Sequence, residues 1–146
     1  MDKLPKEILA EIEYVEISLA NLKTTLMKSE KSVIELSAIA TFIHNIYNGV
    51  ENILKQIFKK QQINLTKSEF WHKELIQTAV SHKIISSSLS NKLYEYLSFR
   101  HFFIHGYGFM LEEEQLSDLA NDAPEVWQQL LKEIKFYFEN KSGDIS

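Results

Sequence analysis

Apolar side chains recur with helical spacing along almost the whole chain. Ile8, Ile12, Val15, Leu19, Leu22 and Leu26 alternate steps of four and three, which predicts a first helix over 5–28. Pro5 stands near its start, where a missing N–H does no harm. Leu36, Ile39, Ile43, Ile46, Val50, Ile53 and Ile57 form a longer, heptad-like stripe, widened by Phe42, Leu54 and Phe58, and predict a second helix from about 32 to 62. Gly49 lies inside it at a cost of about 1 kcal/mol relative to Ala, and the close approach of another helix is the usual reason for tolerating that. Asn64 to Ser68 reads as a loop, with Thr66 or Ser68 available as a cap. A short third helix is expected over 69–82, and a fourth over 87–105 with Leu89, Leu93, Leu97 and Ile104 on one stripe. Gly106 and Gly108, on either side of Tyr107, end it. A polar segment with Glu112, Glu113 and Glu114 follows, and Asp122 with Pro124 predicts the start of a last helix through Val126, Leu130, Ile134 and Phe138. The polar tail from about 141 is expected to fray.

No β alternation rivals these stripes, and no linker divides the 146 residues. The expectation is a single all-α domain over 1–146, an up-and-down helical bundle of four main helices plus shorter ones. The length and breadth of the second apolar stripe suggest a homodimer, although a simple core accounts for it as well. Composition narrows the chemistry. There is no cysteine, which excludes disulfides, thiolate zinc sites and a Cys nucleophile. Four Gly and two Pro are too few for a turn-rich β domain or a Gly-rich phosphate loop. No apolar run approaches the roughly 18 residues of a membrane span. The amphipathic, acidic N-terminus does not read as a signal peptide, so the cytoplasm is expected and a membrane partner is not.

The net charge of −4 gives no global attraction to nucleic acid. Its distribution is uneven. Residues 51–110 carry eight basic against four acidic side chains, between two acidic ends. A solvated helix surface accounts for that too. Of the 16 basic residues only Arg100 is an arginine. Its planar fork of donors stays charged when desolvated and matches phosphate geometry, which an ammonium does not.

Chemistry concentrates in Ser98–Gly108, which holds Arg100, His101, His105 and Tyr107 at a helix end beside glycines. Arg100 falls on the Leu93, Leu97 and Ile104 stripe and therefore needs an anion to face: a phosphate, a subunit groove, or a core carboxylate such as Glu51. His105 is a residue able to move protons near neutral pH, or else a simple cap of the helix C-terminus. His101 and His105 are i, i+4, the geometry of a two-His metal pair, but the sequence supplies no third ligand. Metal-free RNA cleavage needs a base for the 2′-OH, an acid for the leaving oxygen and a cation for the phosphorane. Two copies of an Arg–His helix across a symmetric dimer would supply all three.

Arg100-His-Phe-Phe-Ile-His105-Gly-Tyr107 reads R-x-x-x-x-H-x-Y and resembles the signature of the HEPN ribonuclease toxins, specifically the HepT-like group. Tyr47-Asn-Gly-Val-Glu-Asn-Ile-Leu-Lys-Gln-Ile57 is similar to that group's second-helix pattern, and Trp71-His-Lys-Glu-Leu75 to its short W-H-x-x-L segment. The resemblance extends from about 5 to 140. It implies an all-α homodimer with paired motifs facing a shared cleft, and a metal-independent endoribonuclease acting on transfer RNA or messenger RNA. It implies catalytic roles for Arg100 and His105 and no cofactor. It also implies a partner, an MntA-type nucleotidyltransferase antitoxin that transfers AMP from ATP to Tyr107. The added bulk and negative charge beside Arg100 would block RNA. His101 and Glu51 are possible auxiliaries, Glu51 by orienting Arg100. Lys55, Lys59 and Lys60 would form an RNA rim or simply a solvated helix end. Two rival readings are a non-catalytic HEPN module that only binds its nucleotidyltransferase partner, and a metal-binding bundle using His101 and His105.

Overall fold

The computed structural model describes residues 4–65, 67–105 and 113–145, with side chains as far as Lys141. Among the described residues there are five helices: α1 (Lys6–Leu26), α2 (Val33–Lys60), α3 (Trp71–Ser81), α4 (Ser87–Ile104) and α5 (Glu113–Ile145). No strand occurs among the described residues. The bundle architecture expected from the apolar stripes is therefore present, and the first four helices fall within two residues of their expected limits. Gly106, Tyr107, Gly108, Glu112 and the candidate cap Thr66 lie outside the described residues.

Side-chain pairs give the directions of the helices. Lys60 meets Glu7 at 3.4 Å and Lys28 meets Glu35 at 2.7 Å, so α1 and α2 form an antiparallel hairpin. Midway along it, a Cβ at Gly49 would collide with Cγ2 of Val15, which is the close helix approach expected for this glycine. Phe103 stacks near His44, while Leu93 and Tyr96 share an apolar seam with Tyr47 and Val50, so α4 runs antiparallel to α2. Glu133 of α5 accepts from the N–H and hydroxyl of Ser86, the N-cap of α4, and Tyr96 donates to the Leu119 carbonyl at 2.7 Å. Buried Trp127 of α5 donates to Glu16 of α1 at 3.3 Å, which closes the bundle.

The ends of α2 and α3 share one device. Gln62 and Lys83 take left-handed backbone (φ 56° and 59°) one residue past the C-cap. Ile63 N–H then returns to Phe58 O, and Ile84 N–H to Ala79 O, in Schellman closures. The start of α2 is a capping box: Ser32 accepts from Glu35 N–H and Glu35 accepts from Ser32 N–H.

One expectation is corrected at α5. The helix does not begin at Asp122–Pro124; it starts at Glu113 and passes through Pro124. The proline removes one hydrogen bond to the turn before it, and burial of Leu116, Ala120, Ala123 and Trp127 on one continuous stripe outweighs that loss. The helix continues to Ile145.

Candidate functional site

The polar chemistry of the bundle gathers on the side of α2 that faces α3 and α4. His44, Glu51 and Lys55 are spaced i, i+7 and i+11, one side of a helix, with Tyr47 at its edge. Gly49 and its contact with Val15 lie on the opposite side. The helix thus offers an apolar seam to α1 and a polar strip, about 16 Å long, to the other neighbours.

Glu51 is the most deeply buried charge on this strip, only 1% exposed. Both of its carboxylate oxygens accept from His72 Nδ1 of α3, at 2.8 and 2.9 Å. A carboxylate can only accept, so Nδ1 carries the proton and Nε2 is left as the other edge of the ring. His72 is the second residue of α3, and that first turn is held by Ser68. The Ser68 hydroxyl accepts from Phe70 N–H at 3.1 Å and donates to Glu74 at 2.9 Å. Trp71 packs on the His72 ring with centroids 3.5 Å apart, and Lys55 Nζ sits 4.2 Å from the Trp71 ring centroid. The sequence suggested Glu51 as the partner that orients Arg100; the structure gives its hydrogen bonds to His72.

Arg100 is half-buried on α4 against this strip. Its Nε is buried and makes no hydrogen bond, and no carboxylate reaches it within ion-pair distance among the described residues. Two further polar atoms nearby lack a hydrogen bond, His44 Nε2 and the Tyr47 hydroxyl. Burial holds the His44 imidazole below its ordinary pKa, and the Arg100 charge adds to that. Burial likewise pushes the Tyr47 phenol far up, helped by the Glu51 carboxylate and opposed by Arg100. Tyr47 is therefore a neutral donor at any physiological pH. Phe103 packs on His44 with ring centroids 5.0 Å apart and walls off that end.

His105 is the C-cap of α4 and is exposed; its N–H donates to the His101 carbonyl at 3.2 Å. The rings of His101 and His105 lie 4.2 Å apart, so these two are brought together. No third His, Asp or Glu joins them as a metal ligand among the described residues. His105 lies five positions after Arg100, about 140° around the helix axis. Arg100 therefore turns toward α2 while His105 faces solvent. Tyr107 lies outside the described residues. Of the three lysines named from the sequence, Lys55 stands over Trp71 on the strip. Lys60 pairs with Glu7, and Lys59 is exposed beside it, about 22 Å along α2 from His44. A surface groove of about 740 Å³ between Ile85, Lys83 and Phe136 contains none of these groups.

Sequence reasoning missed His44 and His72 as site residues. A signal existed for each. His44 stands one heptad before Glu51 on a helix otherwise filled with Ile, and a buried Glu on that helix needs a donor from elsewhere in the chain.

Among the described residues no helix is long and apolar enough to cross a membrane. No curated protein and no solved structure matches the chain. A family model described as "HepT-like protein" matches residues 38–141, from the second turn of α2 to near the end of α5, so that α1, which the sequence resemblance also took in, lies outside the match. The chain belongs to the HepT-like family, and its helical bundle is of the HEPN kind that the motif suggested.

Proposed function

We propose that this HepT-like chain is the toxin of a cytoplasmic toxin–antitoxin pair, a metal-independent endoribonuclease that cuts transfer RNA or messenger RNA at a cleft between two copies. The observation that carries the reading is the guanidinium of Arg100. It is the sole arginine, half-buried with no carboxylate within ion-pair distance among the described residues and with a buried donor left open. A cation held in that way favours an anion that arrives from outside, and a phosphodiester fits it in charge and shape.

In the cleavage step the ribose 2′-oxygen attacks the adjacent phosphorus and loses its proton to a base. The bond to the 5′-oxygen of the next nucleotide breaks, and an acid protonates that oxygen. A 2′,3′-cyclic phosphate and a 5′-hydroxyl are left. Arg100 neutralises the phosphorane, and exposed His105 exchanges the proton. Because Arg100 and His105 diverge around one helix, a second copy placing its His105 opposite Arg100 completes the site, which supports the dimer. His101, in ring contact with His105, is placed to assist it. Lys55, with Lys59 and Lys60 farther along α2, would meet the RNA backbone. The antitoxin would be an MntA-type nucleotidyltransferase. The Tyr107 phenol attacks the α-phosphorus of ATP, pyrophosphate leaves, and AMP remains two residues from His105, where its charge competes with RNA.

The test is RNA cleavage in EDTA by protein purified without any partner, with Tyr107 shown unmodified by intact mass. Wild type is expected to cut, and Arg100→Ala and His105→Ala each to lose at least about 100-fold in rate while staying folded. Inert, unmodified wild type against bulk RNA would put the non-catalytic partner-binding module ahead.

A further inference from the structure

We propose that His72 is a positioning residue: it occupies the buried Glu51 carboxylate and so keeps Arg100 from pairing with it, which leaves the guanidinium open to a phosphate. The inference rests on the ribonuclease reading for its purpose, but its geometry stands apart from it.

Glu51 and Arg100 share a neighbourhood without touching. Phe103 packs on His44 and Tyr96 lies with Tyr47 and Val50, which sets Arg100 of α4 against the stretch of α2 that carries Glu51; both charges are felt at His44 and at Tyr47, with opposite sign at each. A buried carboxylate and a guanidinium so placed attract strongly, because little water screens them. Yet no ion pair joins them among the described residues, and Arg100 Nε has no acceptor. What satisfies Glu51 instead is one imidazole N–H that serves both its oxygens. That imidazole is fixed from behind. Trp71 lies on its ring, Lys55 lies over Trp71, and Ser68 holds the turn that carries both aromatic residues. The exposed side of His72 is small, 19% of its side chain, so the ring cannot swing into solvent without vacating Glu51.

Removing the imidazole takes both of these hydrogen bonds from a carboxylate that is 1% exposed and leaves only the neighbouring Tyr47 hydroxyl as a donor, too little for a buried charge. Two escapes exist. Glu51 takes up a proton, or Arg100 swings across and pairs with it. Because Arg100 carries an open buried donor and is the only arginine, the second escape is expected, at the cost of its phosphate-binding state.

The sole arginine makes this readable, since its Nε–H gives a single resonance in a ¹⁵N spectrum. The probes are inorganic phosphate and an all-2′-deoxy oligonucleotide, which binds but cannot be cleaved by 2′-OH attack. In wild type both should shift the Nε–H signal. In folded His72→Ala, the signal should already sit at a new position without ligand, and oligonucleotide affinity should fall by about tenfold or more. His72→Gln, which still offers an N–H to Glu51, should behave as wild type. The double variant His72→Ala with Glu51→Gln should regain most of the lost affinity. An unmoved Nε–H signal with unchanged affinity in His72→Ala overturns the proposal, as does a double variant that regains nothing. Cleavage by wild type is scored in parallel. An inert wild type counts against the ribonuclease reading alone, since the phosphate and oligonucleotide comparison still decides what His72 does.

Discussion

Along one side of α2, Gly49 meets Val15 of α1 with no room for a methyl group between them. Along the other side, His44, Tyr47 and Arg100 leave three buried polar atoms without hydrogen bonds. The first face is filled to the last atom. The second keeps donors and an acceptor in reserve, at a cost of about 1–3 kcal/mol for each group left unsatisfied. The same helix therefore supplies stability on one side and forgoes it on the other. The difference locates the chemistry better than surface shape does, because a groove of about 740 Å³ lies elsewhere and holds none of it. Unmet polar valence in an otherwise well-packed bundle is a local departure from the rule the rest of the fold obeys, and such departures collect at sites.

The strongest way to break the comparison is to crowd the closed face. Gly49→Leu should destabilise by about 3 kcal/mol, read from the midpoint of urea unfolding, since Val15 is fully buried and stiff at χ1. Gly49→Ala should lose about 1 kcal/mol net, its overpacking offset in part by about 1 kcal/mol of better helix propensity. Pairing it with Val15→Ala should recover part of that loss. Activity per folded molecule should not change in any of the three, and a fall in it would mean that the two faces are coupled.

A smaller effect should have the opposite sign on the open face. Arg100→Met keeps the aliphatic bulk and removes an unpartnered charge, so thermal stability should rise by about 1 kcal/mol while RNA cleavage is lost. A destabilised Arg100→Met would show that the guanidinium is held by a partner in the dimer, or by residues not described here.

The smallest effect concerns pH. The folded-state pKa of His44 lies below its ordinary value because of burial first and Arg100 second. The unfolded chain then takes up a proton near pH 6.5 that the folded chain resists. Stability from this source is complete above that pH and is lost as the pH falls through the window beneath it. Thermal melts between pH 7 and 5 should show wild type losing more than His44→Phe. Equal losses would mean that His44 is better solvated than its burial suggests.

The apolar stripes carried most of the fold. The limits of α1 to α4 followed from them, and Gly49 was legible as a contact point because nothing else explains glycine mid-helix. The start of α5 was not legible. Asp122 and Pro124 form a local start signal, while the residues that carry the helix through them, Ala120 and Ala123, have side chains too small to mark a stripe. The left-handed closures at Gln62 and Lys83 were hidden even though the helix limits were not, since neither position is a glycine. At the site, sequence alone singled out Arg100 by its rarity and His101 with His105 by their spacing, because a helix converts spacing within one segment directly into geometry. It could not say what Glu51 faces. That depends on the register of α3 and α4 against α2, which is set by how buried side chains interlock across helices far apart in the chain. Only the tertiary structure decided that the Glu51 carboxylate belongs to His72, 21 residues away, and that Arg100 is left with a donor to spare.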